Sequence, residues 1–358
     1  MNNKKFKYLY YVGIFFYLVA FDFCLTNIYK YSKNYMLGDL RIKHPIYHHE
    51  LKKNSEGGGS ISEKYYSNSL GFRDFSKKDI SIETDKKRIL LMGDSSTMGL
   101  NNEYSKSFSG KITKYFEKKN IEVLNGGATS YSPTIYFTKI KFLIEEKKLK
   151  FDELYLFIDI SDTFDDVYRY KLDAKGNVID ADEKVKEISY INFLKIFIGN
   201  NFTFFFIILD YVNDFFSPDL SNDKFAINHQ NNLWNITEED YELYGKRGLK
   251  KNIEFLNKIK KLLDKNNIKM KVFIYPWPGT IYYYTGNTVY EKTWENWAAQ
   301  NEVPIYNYVK EFEYIKDLNL DVTERLKIID KHFKKLDMHF NENGNLLFFN
   351  KIVNFIEK

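Results

Sequence analysis

The chain has 358 residues, of which 44% are hydrophobic and 28% charged, and its formal net charge is +5. This hydrophobic content can fill one large core or two smaller ones, so the composition excludes a disordered chain and favours one enlarged domain with appendages. The basic residues form no dense block, which gives no indication of a nucleic-acid partner. The single cysteine, Cys24, excludes an intrachain disulfide and a cysteine-rich metal site.

An apolar segment lies near the N-terminus. Residues 8–26 carry one charge, Asp22, and as a helix rising about 1.5 Å per residue they nearly match the ~30 Å hydrocarbon core of a bilayer. The segment is long for a cleaved signal, and no cleavage site follows it. We therefore predict an uncleaved signal anchor over residues 1–30 and a single-pass protein of the cell membrane. A buried core helix is the alternative, and lysines on both sides leave the orientation open.

Beyond the anchor, residues 31–63 are interpreted as a linker because they contain the flexible stretch KKNSEGGGS at 52–60. A catalytic domain is predicted over residues 64–358. Short apolar strands alternate there with helix-period segments, which indicates a flavodoxin-like three-layer α/β/α sandwich with a mainly parallel five-stranded sheet. The predicted strands are 87–92, 121–124, 154–158, 270–275 and 303–306, and the clearest helices are 104–119, 133–148, 238–265 and 287–300.

Residues 163–237 interrupt this alternation and are interpreted as an insertion. They contain an apolar run at 202–209 that is too short to cross a bilayer. We predict that this run is a core helix of the inserted lobe. An interfacial helix lying against the membrane is the alternative.

The first candidate site follows the first predicted strand. Gly93-Asp94-Ser95 stands where that strand turns into a helix, so the Ser95 hydroxyl can face the crevice at the carboxyl end of the sheet. The Ser95 backbone N–H can also point at a developing oxyanion there. Such a triplet alone is equally typical of an ordinary turn.

Two further polar segments follow the second and third strands. The Gly-rich loop beginning at Asn125 includes Gly127 and Ser130, and its backbone N–H groups can approach a ligand closely. Ser161 and Asp162 follow the third strand. Ordinary loop and helix-cap roles are the alternatives for both segments.

The fourth segment contains an acid and a base. Asp337 and His339 precede a C-terminal apolar helix. In acyl transfer a serine needs a base that takes its proton, and the base needs a carboxylate that orients it. The other five histidines, which lack an acid partner in a comparable strand-end position, are His44, His48, His49, His229 and His332.

In this order and at these spacings, the four segments resemble the SGNH/GDSL hydrolase family over roughly residues 64–357. The resemblance implies Ser95 as nucleophile, His339 as base and Asp337 as orienting acid, with no metal and no organic cofactor. It implies an oxyanion hole formed by the N–H groups of Ser95 and Ser130, with Ser161 or Asn125 as a further donor. Three features depart from the family pattern: Ser130 replaces a glycine, Ser161 replaces an asparagine, and Asp337 lies two residues before His339 rather than three.

Residues 68–74 and 275–278 look like a membrane-anchored subset of that family associated with O-acylation of envelope or secreted glycans. This resemblance implies an extracytoplasmic serine acyl-esterase or O-acyltransferase that forms an acyl-enzyme at Ser95. The expected substrate is an acylated, most simply acetylated, carbohydrate. A transferase would need a polytopic membrane acyltransferase as its partner. A non-catalytic glycan-binding or assembly subunit that retains the fold is the alternative.

Overall fold

The computed structural model describes residues 3–38, 40–57, 64–182, 202, 224–312, 320–335 and 337–358. In chain order the strands are β1 Arg41–His44, β2 His48–Leu51, β3 Glu56–Gly57, β4 Tyr65–Ser67, β5 Arg73–Asp74, β6 Arg88–Met92, β7 Glu122–Asn125, β8 Glu153–Ile158, β9 Tyr170–Leu172, β10 Val178–Asp180, β11 Lys269–Ile274 and β12 Ile305–Asn307. The α-helices longer than three residues are Asn3–Gly38, Ser95–Met98, Phe108–Glu117, Pro133–Glu145, Asp162–Tyr168, Lys224–Ile227, Lys246–Lys265, Pro278–Tyr282, Val289–Gln300, Val322–His332 and Glu342–Ile356.

Eight strands form one sheet in the order β12-β11-β8-β6-β7-β5-β4-β3. Strands β6, β7, β8, β11 and β12 run parallel to one another. Counted along the chain, these five have the spatial order 2-1-3-4-5, which is the flavodoxin-like arrangement. The predicted sandwich and its five parallel strands are therefore confirmed, with every predicted strand end within two residues of the observed one.

Helices cover both faces of the parallel strands. Every residue of β6 and β8 is buried, as their continuous apolar sequences require for strands covered on two sides. On one face Phe108 and Phe348, from the helices Phe108–Glu117 and Glu342–Ile356, meet the ring of Phe157. Right-handed crossovers place the other three large helices on the opposite face. These are Pro133–Glu145, Lys246–Lys265 and Val289–Gln300.

Three short antiparallel strands extend the sheet beyond β7. Strand β5 pairs with β7, β4 with β5, and β3 with β4. Each has two or three residues, too few for a hydrophobic period to be detected, so the sequence prediction missed them. Arg73 of β5 is buried, with its guanidinium carbon 3.6 Å from the centre of the Tyr65 ring, and it donates to the carbonyl of Asn102.

The predicted linker over 31–63 is wrong for residues 41–57. The first helix continues to Gly38, and β1 and β2 then form an antiparallel hairpin that packs on the domain. Tyr47, His49 and Leu51 are buried there. Its polar sequence gives no sign of burial, because the contacts that bury it come from distant segments. Residues 58–63 of the predicted linker lie outside the described residues.

The predicted insertion begins with the helix Asp162–Tyr168 and the antiparallel pair β9–β10. It returns through Lys224–Ile227 and a tight turn over Gln230–Asn235. Apart from Phe202, the apolar run 202–209 lies outside the described residues, so its assignment as a core helix stays a prediction.

The N-terminal helix is long and apolar enough to cross a membrane. By length and composition the candidate span is Lys7–Ile28, with a mean hydropathy of 1.7 and most of its side chains exposed. Asp22 accepts a hydrogen bond of 3.0 Å from the Thr26 hydroxyl one turn further on. The only charge within the apolar segment therefore has a polar partner in the same helix.

Removing the hairpin β1–β2 should destabilise the domain. A fragment of residues 40–358 keeps the buried side chains of Tyr47 and Leu51, whereas a fragment of residues 64–358 exposes the surface that they cover. Each such side chain contributes about 1.5–3 kcal/mol when fully buried, so we expect the shorter fragment to be less stable by at least about 3 kcal/mol. Urea unfolding of the two fragments measures the difference. Equal stabilities would show that the hairpin does not belong to the folded domain.

Candidate active site

The nucleophile turn joins β6 to the helix Ser95–Met98. A Cβ atom on Gly93 would lie 2.1 Å from the Thr97 hydroxyl oxygen and 2.9 Å from the Phe157 carbonyl oxygen, so the turn has room only for glycine. The Asp94 carboxylate caps the short helix by accepting the Ser96 N–H at 2.9 Å. Ser95 is half-buried and is the first residue of that helix, so its backbone N–H has no carbonyl partner within the helix.

Three predicted catalytic side chains form a continuous hydrogen-bonded chain. His339 Nε2 lies 2.8 Å from Ser95 Oγ, and His339 Nδ1 lies 2.5 Å from Asp337 Oδ1. An ionised Asp337 can only accept, so Nδ1 carries the proton and the neutral ring presents an accepting Nε2 to the Ser95 hydroxyl. The geometry is that of a nucleophile, a base and an orienting acid.

Asp337 lies only two residues before His339 in the sequence, and the two side chains are nevertheless in contact. Asp337 Oδ1 also accepts the backbone N–H of His339 at 3.2 Å, which explains how so short a spacing orients the ring. The second carboxylate oxygen accepts the Asn101 side-chain amide at 2.9 Å. Asn101, which the sequence interpretation did not single out, therefore holds Asp337 from the opposite side.

Electrostatics in the triad favour the ion pair that forms when His339 takes a proton. Burial alone would lower the pKa of His339, but the Asp337 carboxylate, with further help from Asp94 and Asp159, outweighs burial and raises it above its usual value of 6.5. Burial alone would raise the pKa of Asp337, but His339 and the hydrogen bonds outweigh it and lower the pKa to about 2. Asp337 is thus ionised while His339 cycles between its two forms.

Asp94 gives the Ser95 hydroxyl a second possible acceptor. Its Oδ2 lies 3.0 Å from Ser95 Oγ, close to the distance to His339. Burial, followed by the charge of Asp159, raises the pKa of Asp94 to about 7. Since a serine hydroxyl has one proton, it donates to one of these two acceptors at a time, and His339 is the nearer.

Asn125 and Gly127 support the nucleophile turn from the next strand. The Asn125 amide donates to the Thr97 carbonyl at 2.8 Å, and its oxygen accepts the Gly127 N–H at 3.1 Å. Both groups named as oxyanion candidates are therefore engaged with each other and with the helix that carries Ser95. In this structure they brace the site and do not present free donors to it.

The third polar segment is built around a buried carboxylate. The Ser161 hydroxyl donates to Asp159 at 2.7 Å, so it is not directed to an oxyanion. Asp159 also accepts from the Tyr275 hydroxyl at 2.6 Å and the Trp277 indole N–H at 3.1 Å, which gives the segment 275–278 a structural role. Asp162 is buried and accepts from the Asp159 backbone N–H and from a tyrosine hydroxyl.

Ser130 has a backbone conformation that favours glycine. Its φ is 58°, in the left-handed region that favours glycine. Its hydroxyl accepts a hydrogen bond of 2.9 Å from Arg169, which holds the residue in place from the insertion. A serine can therefore occupy this position without a change in the backbone geometry of the loop.

A buried lysine supports the Gly-rich loop from below. Lys139 donates to the Gly126 carbonyl at 2.8 Å and to the Tyr131 hydroxyl at 3.2 Å. Burial lowers its pKa to about 7, although Glu50 opposes that shift. The sequence analysis did not identify Lys139. The sequence feature that indicates its role is a lysine on the apolar side of the helix Pro133–Glu145.

The hairpin β1–β2 also reaches the Gly-rich loop. His49 lies with Nε2 2.8 Å from the Thr129 carbonyl oxygen, and the Tyr131 hydroxyl donates to the His49 carbonyl at 2.6 Å. The neighbouring His48 lies 3.0 Å from Asp180, an acid 132 residues further along the chain. The segment just after the N-terminal apolar helix is thus in contact with the Gly-rich loop.

Lys139 should make folding stability rise with pH. Between about pH 7 and 10.5 the unfolded chain keeps the Lys139 proton and the folded chain has lost it. The free energy of unfolding therefore increases as pH rises through this range. We expect the free energy of unfolding of the wild type to increase relative to that of Lys139→Met from pH 7 to pH 10. Urea midpoints measure it, with the exposed Lys141→Met in the same helix as control. A difference that stays constant with pH would contradict the role of burial.

Comparisons with known proteins return similarity only at the level of structure. No protein-family model matches the chain, and no curated protein matches it. Among solved structures it is similar to a lipolytic protein of the G-D-S-L family from Desulfitobacterium hafniense DCB-2, with 11% identity, a TM-score of 0.39, and coverage of 75% of this chain and 99% of that one. It is also similar to the acetyl xylan esterase AlAXEase, with 13% identity, a TM-score of 0.42, and coverage of 75% and 98%. A third is the psychrotrophic esterase EstA from Pseudoalteromonas sp., with 10% identity, a TM-score of 0.37, and coverage of 76% and 97%.

Proposed function

We propose that the chain is an SGNH-type serine acyl-esterase or O-acyltransferase that works through an acyl-enzyme at Ser95. The observation that carries this proposal is the hydrogen-bonded chain from Ser95 Oγ through His339 to Asp337. It joins a nucleophile, a base of raised pKa and an ionised acid at the carboxyl end of a parallel sheet, where such sheets hold their reactive groups.

The proposed mechanism can be followed through the position of the proton at each step. Ser95 Oγ attacks the acyl carbonyl while His339 Nε2 takes the hydroxyl proton, and the carbonyl oxygen becomes an oxyanion. His339 then returns the proton to the leaving alcohol, and the acyl-enzyme remains. In the second half His339 removes a proton from water or from an acceptor hydroxyl, which attacks the acyl group. The bond between the acyl carbon and Ser95 Oγ then breaks, and His339 returns the proton to Ser95 Oγ. Asp337 holds the imidazole in one tautomer and stabilises its charged form throughout.

The oxyanion is proposed to be held by backbone groups. The Ser95 N–H begins a helix and has no partner within it, and the Ser130 N–H belongs to a loop fixed by Arg169 and Lys139. The side-chain donors of Asn125 and Ser161 are engaged elsewhere. Since losing one oxyanion donor costs about 10²–10³ in rate, we infer a slower catalyst than one with three donors.

The substrate is proposed to be an acylated carbohydrate, with acetyl as the expected group, and the domain to face outward from the cell membrane. The apolar helix Lys7–Ile28 and the resemblance of residues 68–74 and 275–278 to a glycan-modifying subset support this. Water as acceptor makes an esterase, and a sugar hydroxyl makes a transferase that would need a polytopic membrane partner to supply the acyl group. The engaged Ser161 hydroxyl is the observation that favours the rival, a non-catalytic glycan-binding or assembly subunit.

Replacing Ser95 should abolish acyl chemistry. With the full chain in detergent, we expect p-nitrophenyl acetate to give a burst of nitrophenol and a fluorophosphonate probe to label Ser95. Ser95→Ala should remove the burst, the labelling and at least about 10³-fold of turnover, because the nucleophilic oxygen is gone. Ser96→Ala, its neighbour in the same helix, is the matched control and should keep all three. Turnover that survives Ser95→Ala would refute the mechanism, and no burst or labelling in the wild type would favour the non-catalytic subunit.

Asp337 should set both the rate and the acidic limb of the pH profile. For the wild type we expect kcat/KM to fall with decreasing pH at a midpoint above 6.5, where His339 becomes protonated and can no longer accept from Ser95. Asp337→Asn should lower kcat about 10⁴-fold, as a lost orienting acid does in such triads. It should also move that limb to lower pH, since burial of His339 is then less opposed. Stopped assays across pH measure both effects, with the exposed Asp330→Asn as control. An unmoved limb would exclude Asp337 as the partner of His339.

A further inference from the structure

A small cationic cavity opens beside the Gly-rich loop. It has a volume of about 290 Å³, and its lining includes Arg41 of β1, Arg169 at the end of the helix Asp162–Tyr168, His48 and Ser130. Both arginines are exposed. Two segments more than one hundred residues apart therefore bring two guanidinium groups to one concave surface. Neither arginine takes part directly in the catalytic steps above, although Arg169 holds Ser130.

Polar contacts position each arginine and leave some of its N–H donors unused. Arg169 Nε lies 3.0 Å from Asp165, and Arg169 Nη1 donates to the Ser130 hydroxyl. Arg41 lies 3.4 Å from the Thr129 hydroxyl and 3.3 Å from Nδ1 of His49. A guanidinium has five N–H donors, so these bonds orient each group and leave others for a ligand. The loop that carries the proposed oxyanion donor is thus tied directly to both arginines.

The two arginines outnumber the one carboxylate in the lining, Asp180, so the cavity keeps an excess of positive charge. Asp180 is exposed and is bound to His48, and Asp182 forms an ion pair with Lys171. Burial raises the pKa of Asp165 well above its usual range, although Arg169 opposes that shift. Two like charges on one small concave surface repel each other, and an anion placed between them removes that cost.

We propose that this cavity binds an anionic substituent, a carboxylate or a phosphate, on the sugar whose acyl group reacts at Ser95. The proposal rests on the proposed function, because it places the anion next to Ser130 of the oxyanion loop. Arginine pairs bind both oxyanions through two parallel N–H bonds, which fix orientation as well as add affinity. The volume suits a single small charged group rather than a long chain. The substrate is therefore an acidic glycan rather than a neutral one.

The test measures binding on a protein that cannot turn over. Full-length Ser95→Ala in detergent is titrated by calorimetry with methyl β-glucuronoside, with glucose 6-phosphate and with neutral methyl β-glucoside. We expect at least one anionic sugar to bind about tenfold or more tightly than the neutral sugar, and the two anionic arms distinguish a carboxylate from a phosphate. Arg41→Gln and Arg169→Gln, each added to Ser95→Ala, should each reduce that affinity by about tenfold. Arg247→Gln, which removes an exposed arginine outside the cavity, is the matched control and should not.

A variant that is expected to bind more tightly distinguishes a loss of specific contacts from misfolding. Asp180→Asn removes an exposed negative charge at the cavity, so it should tighten binding of the anionic sugar severalfold. Equal affinity for the three sugars, no detectable binding, or arginine variants that behave like Arg247→Gln would overturn the proposal. So would an Asp180→Asn variant that binds no more tightly. Anion binding without fluorophosphonate labelling of Ser95 in the otherwise wild-type chain would reject the proposed function alone, and labelling without sugar preference would reject this inference alone.

Discussion

The hydrogen bond between Ser95 and His339 joins groups 244 residues apart, and the rest of the site is arranged so that this bond can form. One end depends on a glycine turn that lets the helix Ser95–Met98 approach β8 closely. The other depends on the segment before the last helix, where Asn341 caps Glu342–Ile356 by accepting the Gly344 N–H and donates back to the Phe333 carbonyl. A hydrogen bond tolerates only a few tenths of an ångström, so both ends must be held by packed elements.

Beneath the reacting atoms lies a layer of buried polar groups. Asp94 and Asp159 share the Tyr275 hydroxyl, and Asp159 collects further donors from Ser161 and Trp277. Buried carboxylates are costly without such donors, so this layer is stable only as a complete network. Its negative character has a catalytic consequence, because Asp94 and Asp159 both help to raise the pKa of His339. The aromatic residues after β11 therefore act on the triad through these carboxylates.

The hairpin β1–β2 supports the Gly-rich loop from outside. His49 and Arg41 contact Thr129, while Lys139 holds Gly126 from within. The rigidity of the loop therefore comes in part from neighbouring segments of the chain. The segment that follows the N-terminal apolar helix is consequently in contact with the Gly-rich loop.

The five parallel strands, the Gly93-Asp94-Ser95 turn and the Asp337–His339 pair could be predicted from the sequence. Strands buried on both faces are apolar throughout, a turn from strand to helix is rich in Gly, Asp and Ser, and acyl transfer needs a serine, a histidine and a carboxylate. The donors and acceptors of Asn125 and Ser161 were decided only by tertiary structure, because a side chain at a strand end can turn toward the crevice or into the protein. The roles of the hairpin, Lys139, Arg41 and Arg169 were equally hidden. Their significance lies in contacts with residues far away in the chain, and no local pattern records which distant groups will meet.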